Sequence, residues 1–178
     1  MLLNNQMKFY YSRKGVRSKT MKIINRMLVI FFIVYILLLL YIMFFCRLNS
    51  IVSMPYDIWL HNMYNLLPFR NLYDFLTAPV KTTDYFIIIL KNILGNIVLF
   101  LPFGFFLPAL FSKCANFKKF FLITLLTLFI VELLQFLTML GVFDINDIIL
   151  NLIGAIVGFS ISKCMRTRKK FIVHKYAK

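Results

Sequence analysis

Acidic residues are what this sequence has least of. Six Asp and Glu stand against 21 Lys and Arg in 178 residues, for a formal charge of +15. Histidine appears only as His61 and His174, and cysteine only as Cys46, Cys114 and Cys164. Neither CxxC nor any Cys/His ligand spacing occurs, so no metal site and no disulfide framework is expected. Nucleotide-binding motifs and a catalytic Ser/His pair are also lacking, so nothing calls for a cofactor or points to an ordinary hydrolase or kinase.

Apolar residues abound instead. The chain is 61% hydrophobic and 17% aromatic, with a mean hydropathy of +0.83, against roughly 45–50% apolar content in soluble domains. This composition predicts an all-α, polytopic membrane protein. A nucleic-acid partner would require a basic face on a soluble fold, whereas the basic residues here flank apolar runs, so none is expected.

Residues 1–26 carry seven basic residues and no acid, and read as a basic cytoplasmic tail, with Met21 an alternative start. Met27 to Phe45 is almost unbroken Ile, Leu, Phe and Val, about 19 residues and enough to span the hydrocarbon core. A signal peptide would have a shorter apolar region and a small-residue cleavage site, which Cys46-Arg47-Leu48-Asn49 does not offer. Residues 47–84 hold Pro55, Pro68 and Pro79 together with several aromatic residues. They read as an extracytoplasmic loop, whose rings either suit the headgroup zone or form a simple tether.

A second span is expected from Tyr85 to Phe111, with Asn92, Gly95 and Asn96 on one face and Pro102, Gly104 and Pro108 kinking its far end. A third follows from Phe120 to Leu140. At 100° per residue its Thr124, Thr127, Glu132, Gln135 and Thr138 fall in one stripe. The fourth runs from Asp147 to Ser162, where Asp147, Asn151, Gly154 and Gly158 share a face and the two glycines form a GxxxG pair. Gly95, Gly154 and Gly158 are the expected helix-packing glycines. Packing within the chain is the favoured use of that face, with an oligomer as the alternative. The membrane domain thus covers residues 27–162, and a second basic tail follows at 163–178.

Seventeen basic residues and no acid lie in the two tails and the connector at Ser112–Lys119, against four on the other side. By the positive-inside rule both termini are cytoplasmic. Membrane lipids are the expected partners, with anionic headgroups at the basic tails.

With that topology Asn92, Glu132 and Asn151 lie about 10, 12 and 6 Å below the outer boundary at roughly 1.5 Å per residue. A charged side chain near a bilayer centre costs about 2.5–3.5 kcal/mol on insertion scales, so it calls for a packed partner or a cavity. The expectation is an outward-facing polar pocket lined by Asn92, Asn96, Glu132, Gln135, Asp147 and Asn151. Asp144 and Arg70 are further substrate-contact candidates, and Glu132 and Asp147 are candidate proton donors or acceptors. Interhelical hydrogen bonding is the competing, purely structural explanation of the same residues.

Several blocks resemble one family. They are Asn65-Leu66-Leu67-Pro68-Phe69, Asn92 to Gly104, Glu132-Leu133-Leu134-Gln135, and Phe143-Asp144-Ile145-Asn146-Asp147-Ile148-Ile149-Leu150-Asn151 followed by Gly154 and Gly158. In this order they resemble the VanZ-like membrane proteins over roughly residues 60–162. The resemblance implies a multi-pass protein of the bacterial cytoplasmic membrane that acts at the cell envelope. It also implies an association with low-level resistance to the glycopeptide teicoplanin, and hence an envelope-lipid or glycopeptide-related ligand. The family's acidic cluster often reads Asp-x-Asp-Asp, and Asn146 stands here in place of the middle acid. A membrane-embedded enzyme acting on a lipid-linked or amphiphilic envelope substrate and a small transporter are the alternatives.

Overall fold

The computed structural model describes residues 2–46, 55–77 and 83–175. Within them the chain runs α1 (Leu2–Phe44), α2 (Tyr56–Asn62), β1 (Tyr64–Asn65), α3 (Arg70–Thr77), α4 (Thr83–Leu110), a 3₁₀ turn at Ser112–Ala115, α5 (Phe117–Leu137), β2 (Phe143–Asp144) and α6 (Ile145–Lys175). Four helical stretches are long and apolar enough to cross a membrane: Lys22–Phe44, Thr83–Leu110, Phe117–Leu137 and Ile145–Met165. This is the expected all-α, four-span architecture. Arg47 and Lys81 lie outside the described residues.

Two details differ from the expectation. The described part of the loop is ordered, as α2, β1 and α3. Pro102 and Pro108 lie inside α4 towards its far end, within the expected span, as membrane helices allow when neighbours compensate for the missing N–H groups. Helix α6 continues past Ser162 to Lys175, because Ser162 is followed by good helix formers and no Gly or Pro interrupts the tail.

Helices α4 and α6 form the central pair and run parallel. Asn96 bonds Asp147, and eight residues further along both helices Gly104 lies against Ala155. Glycine makes this approach possible. A Cβ on Gly104 would lie 1.9 Å from the Ala155 carbonyl oxygen, one on Gly154 2.1 Å from that of Ile97, and one on Gly158 2.0 Å from that of Leu101. Without a hydrophobic effect between helices in lipid, such backbone contact is a principal source of association. Gly95, expected among the packing glycines, has nothing within 4 Å of where its Cβ would sit. Gly104 occupies the packed position instead.

Helix α5 lies antiparallel to α6. Phe120 and Phe159 meet with ring centroids 4.6 Å apart at one end, and Phe136 meets Phe143 at 6.4 Å at the other. Asn116 caps α5, its side chain accepting from Lys119 N at 3.3 Å. Helix α1 is peripheral, with Ile30, Leu37 and other apolar side chains outward. It is tied to α4 by the Tyr35 hydroxyl, which donates to Leu99 O at 2.8 Å, and by ring contacts of Phe32 and Tyr35 with Phe106.

Candidate functional site

The polar residues collect at one end of the bundle, where α1 and α5 finish and α4 and α6 begin. Their positions follow from helix periodicity. On α5 the buried residues are Phe120, Thr124, Leu128, Glu132 and Gln135, at intervals of three and four, which makes one face. Glu132 is 1% exposed and Gln135 fully buried. On α6, Asp147 and Asn151 are four residues apart and 8% and 1% exposed. The Phe120–Phe159 and Phe136–Phe143 contacts set the antiparallel register, which brings Glu132 level with Asp147 and Leu128 level with Asn151.

Asn96 of α4 completes this layer. Its Nδ2 donates to Asp147 Oδ1 at 2.6 Å and to Asn92 Oδ1 at 3.1 Å. An amide-to-carboxylate bond of this length is charge-assisted if the acid is ionised, and such bonds are about twice as strong as neutral ones. One turn nearer the helix ends, Gln135 Nε2 donates to Met43 O of α1 at 2.8 Å, so α1 joins the polar layer through its backbone. Gln135 Oε1, Thr124 Oγ1 and both amide atoms of Asn151 are buried without a hydrogen-bond partner.

Above this layer the loop is fastened down by residues that sequence reasoning left out of the site. Tyr64 and Asn65 pair in parallel with Phe143 and Asp144. Asn65 Nδ2 donates to both carboxylate oxygens of Asp144 at 3.2 Å, and the Trp59 indole donates to Phe136 O at 3.0 Å. Asp144 is also the N-cap of α6, accepting from Asn146 N at 2.8 Å, a favourable place for an acid beside the helix's positive end.

Asn146 links the loop to α6. Its Oδ1 accepts from Phe69 N, while its Nδ2 donates to Asp144 Oδ1 at 2.8 Å and reaches Leu67 O at 3.5 Å. Phe69 holds the left-handed conformation, φ 58°, which is uncommon outside Gly, Asn and Asp. An ionised carboxylate could accept from the loop but could not donate to Asp144, whereas the amide does both. Asn146 therefore docks the loop on α6.

A cavity of about 30 Å³ lies between α3, α4 and α6, lined by Asn92, Asn146 and apolar residues including Phe69 and Ile89. That is room for about one or two water-sized groups. Of the six residues expected to line a pocket, Asn92 alone borders this cavity. Asn96 and Asp147 are joined by hydrogen bonding, and Glu132, Gln135 and Asn151 are packed in the bundle. Arg70 is exposed at the start of α3, and Asp144 is half-buried beneath β1. Among the described residues no group of three or more His, Cys, Asp or Glu is placed to hold a metal ion.

Comparison with known proteins reaches the same region. The sequence profile of the VanZ/LLP1 family matches residues 32–166. A 100-residue stretch is 29% identical to Protein VanZ of Enterococcus faecium, covering 55% of this chain and 59% of that protein. The chain therefore spans about three fifths of the length of the curated relative it matches. No solved structure gives a significant match.

Proposed function

The chain belongs to the VanZ/LLP1 family, and from that premise we propose that it is a multi-pass protein of the bacterial cytoplasmic membrane that acts at the cell envelope and lowers teicoplanin susceptibility. Its polar layer faces outward, and both termini are cytoplasmic. The observation that carries this reading is the burial of Glu132, Gln135, Asp147 and Asn151 at 0–8% exposure within apolar spans. Polar and ionisable groups inside a membrane are costly and mark functional sites by default.

The layer lies under the docked loop, so an amphiphilic envelope molecule reaches it from the side of the loop. Asn92 and Asn96 orient the polar part of that ligand, and Arg70, exposed on α3, offers a charge near the entrance. The basic tails and connector hold anionic headgroups on the opposite face. Expression in a glycopeptide-sensitive host tests the reading. A raised inhibitory concentration for teicoplanin with unchanged vancomycin sensitivity supports it, and no shift in either drug removes it.

One observation favours a second reading. Glu132 and Asp147 stand level on facing helices, an arrangement suited to handing over a proton. On this reading the protein is an enzyme that modifies a lipid-linked envelope substrate. Lipid profiles of deletion and overexpression strains distinguish the two, since a binding protein leaves the profile unchanged.

A further inference from the structure

Asn151 is not explained by the docking of helices. It is 1% exposed, and neither its Oδ1 nor its Nδ2 has a hydrogen-bond partner. Leaving a buried polar group of this kind unmatched is costly, and GxxxG packing does not need it, since Gly154 and Gly158 make that contact themselves. Leucine has the same branched outline and carries no such desolvation penalty. The amide is therefore matched to something other than a protein group.

The surroundings define the chemistry. Asp147 lies one turn away on the same face of α6, and Glu132 lies level with Asp147 on α5. Two further buried oxygens without hydrogen-bond partners, Thr124 Oγ1 and Gln135 Oε1, flank this level along α5. The set is rich in oxygen acceptors and includes two acids, so it attracts a cation and repels an anion. At 1–8% exposure the three side chains offer no open approach to a bulky group, which excludes an ammonium headgroup on a lipid. Oxygen-only ligands without His or Cys suit a hard ion rather than a transition metal.

We propose that Asn151, Asp147 and Glu132 form a binding site for a small monovalent cation, with sodium the ion of matching hardness. The ion is held by the Asn151 amide oxygen and by carboxylate oxygens of the two acids. This goes beyond the envelope function, and the two fail separately: ion binding is measured on purified protein, and resistance on cells.

The test is equilibrium binding of radioactive sodium to the full-length protein in detergent. Choline chloride holds the ionic strength constant. The expected result is saturable binding of about one ion per chain that is reduced at least tenfold in Asn151→Leu. Circular dichroism confirms that the variant remains helical, and Asn151→Ala replaces it should the leucine variant not fold. A second readout is thermal unfolding, in which sodium raises the melting temperature of the wild type and leaves the variant unmoved. Absence of saturable binding by the wild type overturns the proposal and leaves water as the occupant. Undiminished binding by a folded Asn151 variant overturns it equally, because the ion then sits elsewhere.

Discussion

Replacing Asn146 by Asp isolates the contribution of a single amide. The carboxylate can still accept from Phe69 N, but the Nδ2 donation to Asp144 Oδ1 at 2.8 Å is lost and a like charge takes its place. A hydrogen bond to a charged group contributes about 1.5–3 kcal/mol. Two carboxylates about 4 Å apart repel by about 4 kcal/mol at an effective dielectric of about 20. Asp144 is only half-buried, so water screens much of that repulsion, and relaxation of the side chains relieves more. A net loss of about 3 kcal/mol is a fair working value, and at about 1.4 kcal/mol per factor of ten it raises local opening of the loop about a hundredfold.

Amide hydrogen exchange over residues 63–70 of the purified protein reads this directly. Exchange in Asn146→Asp should be about a hundred times faster than in the wild type, with the α4–α6 core unaffected. Adding Asp144→Asn restores a donor–acceptor pair and should recover most of the protection. Exchange within threefold of the wild type, or a double variant no better protected than the single one, would refute the assignment of Asn146 as the docking point.

The glycines give a sharp contrast. Gly154→Ala and Gly158→Ala place a methyl group about 2 Å from a backbone oxygen of α4 and should prevent a stable fold or lower the melting temperature steeply. Gly95→Ala, with open space around it, should be neutral or stabilising by up to about 1 kcal/mol on helix propensity. Cys114 is 5% exposed and desolvation pushes its thiol pKa up. It should therefore hold less thiolate at neutral pH and react at least tenfold more slowly with maleimide than the exposed Cys46 and Cys164, as mass spectrometry of labelled peptides would show. For the proposed orientation, a fluorescent protein fused after Lys178 should fold and fluoresce in the cytoplasm, and a dark fusion that instead reports periplasmic export would reverse it.

Much of the fold was legible because its determinants are periodic. Four apolar runs of sufficient length stand out in composition alone. Spacings of three and four residues put Asp147 and Asn151 on one face and Thr124, Glu132 and Gln135 on another. Two members of the α5 stripe stay outside its buried face: Thr127 and Thr138 turn their hydroxyls to Ile123 O and Leu134 O of their own helix, a local option that hydroxyl side chains always have.

The docking of the loop was not legible. The β1–β2 pairing joins segments 79 residues apart through two residues each, too short to leave an alternating pattern. The Gln135 bond to Met43 O involves a backbone acceptor, which carries no sequence signal. Asn146 was visible only as a departure from an acidic motif. Its meaning became clear once Phe69 and Asp144 were seen on either side of it.

The central claim is that the buried polar layer, rather than the bundle alone, performs the function. Its most direct measurement is the teicoplanin inhibitory concentration of cells expressing Glu132→Gln beside cells expressing the wild type at matched membrane levels. Glutamine keeps the shape of the side chain and removes its acid. The wild type should raise the inhibitory concentration and the folded variant should not, with vancomycin unaffected in both. Protection by Glu132→Gln equal to that of the wild type would contradict the claim and leave these residues as structural connections between helices.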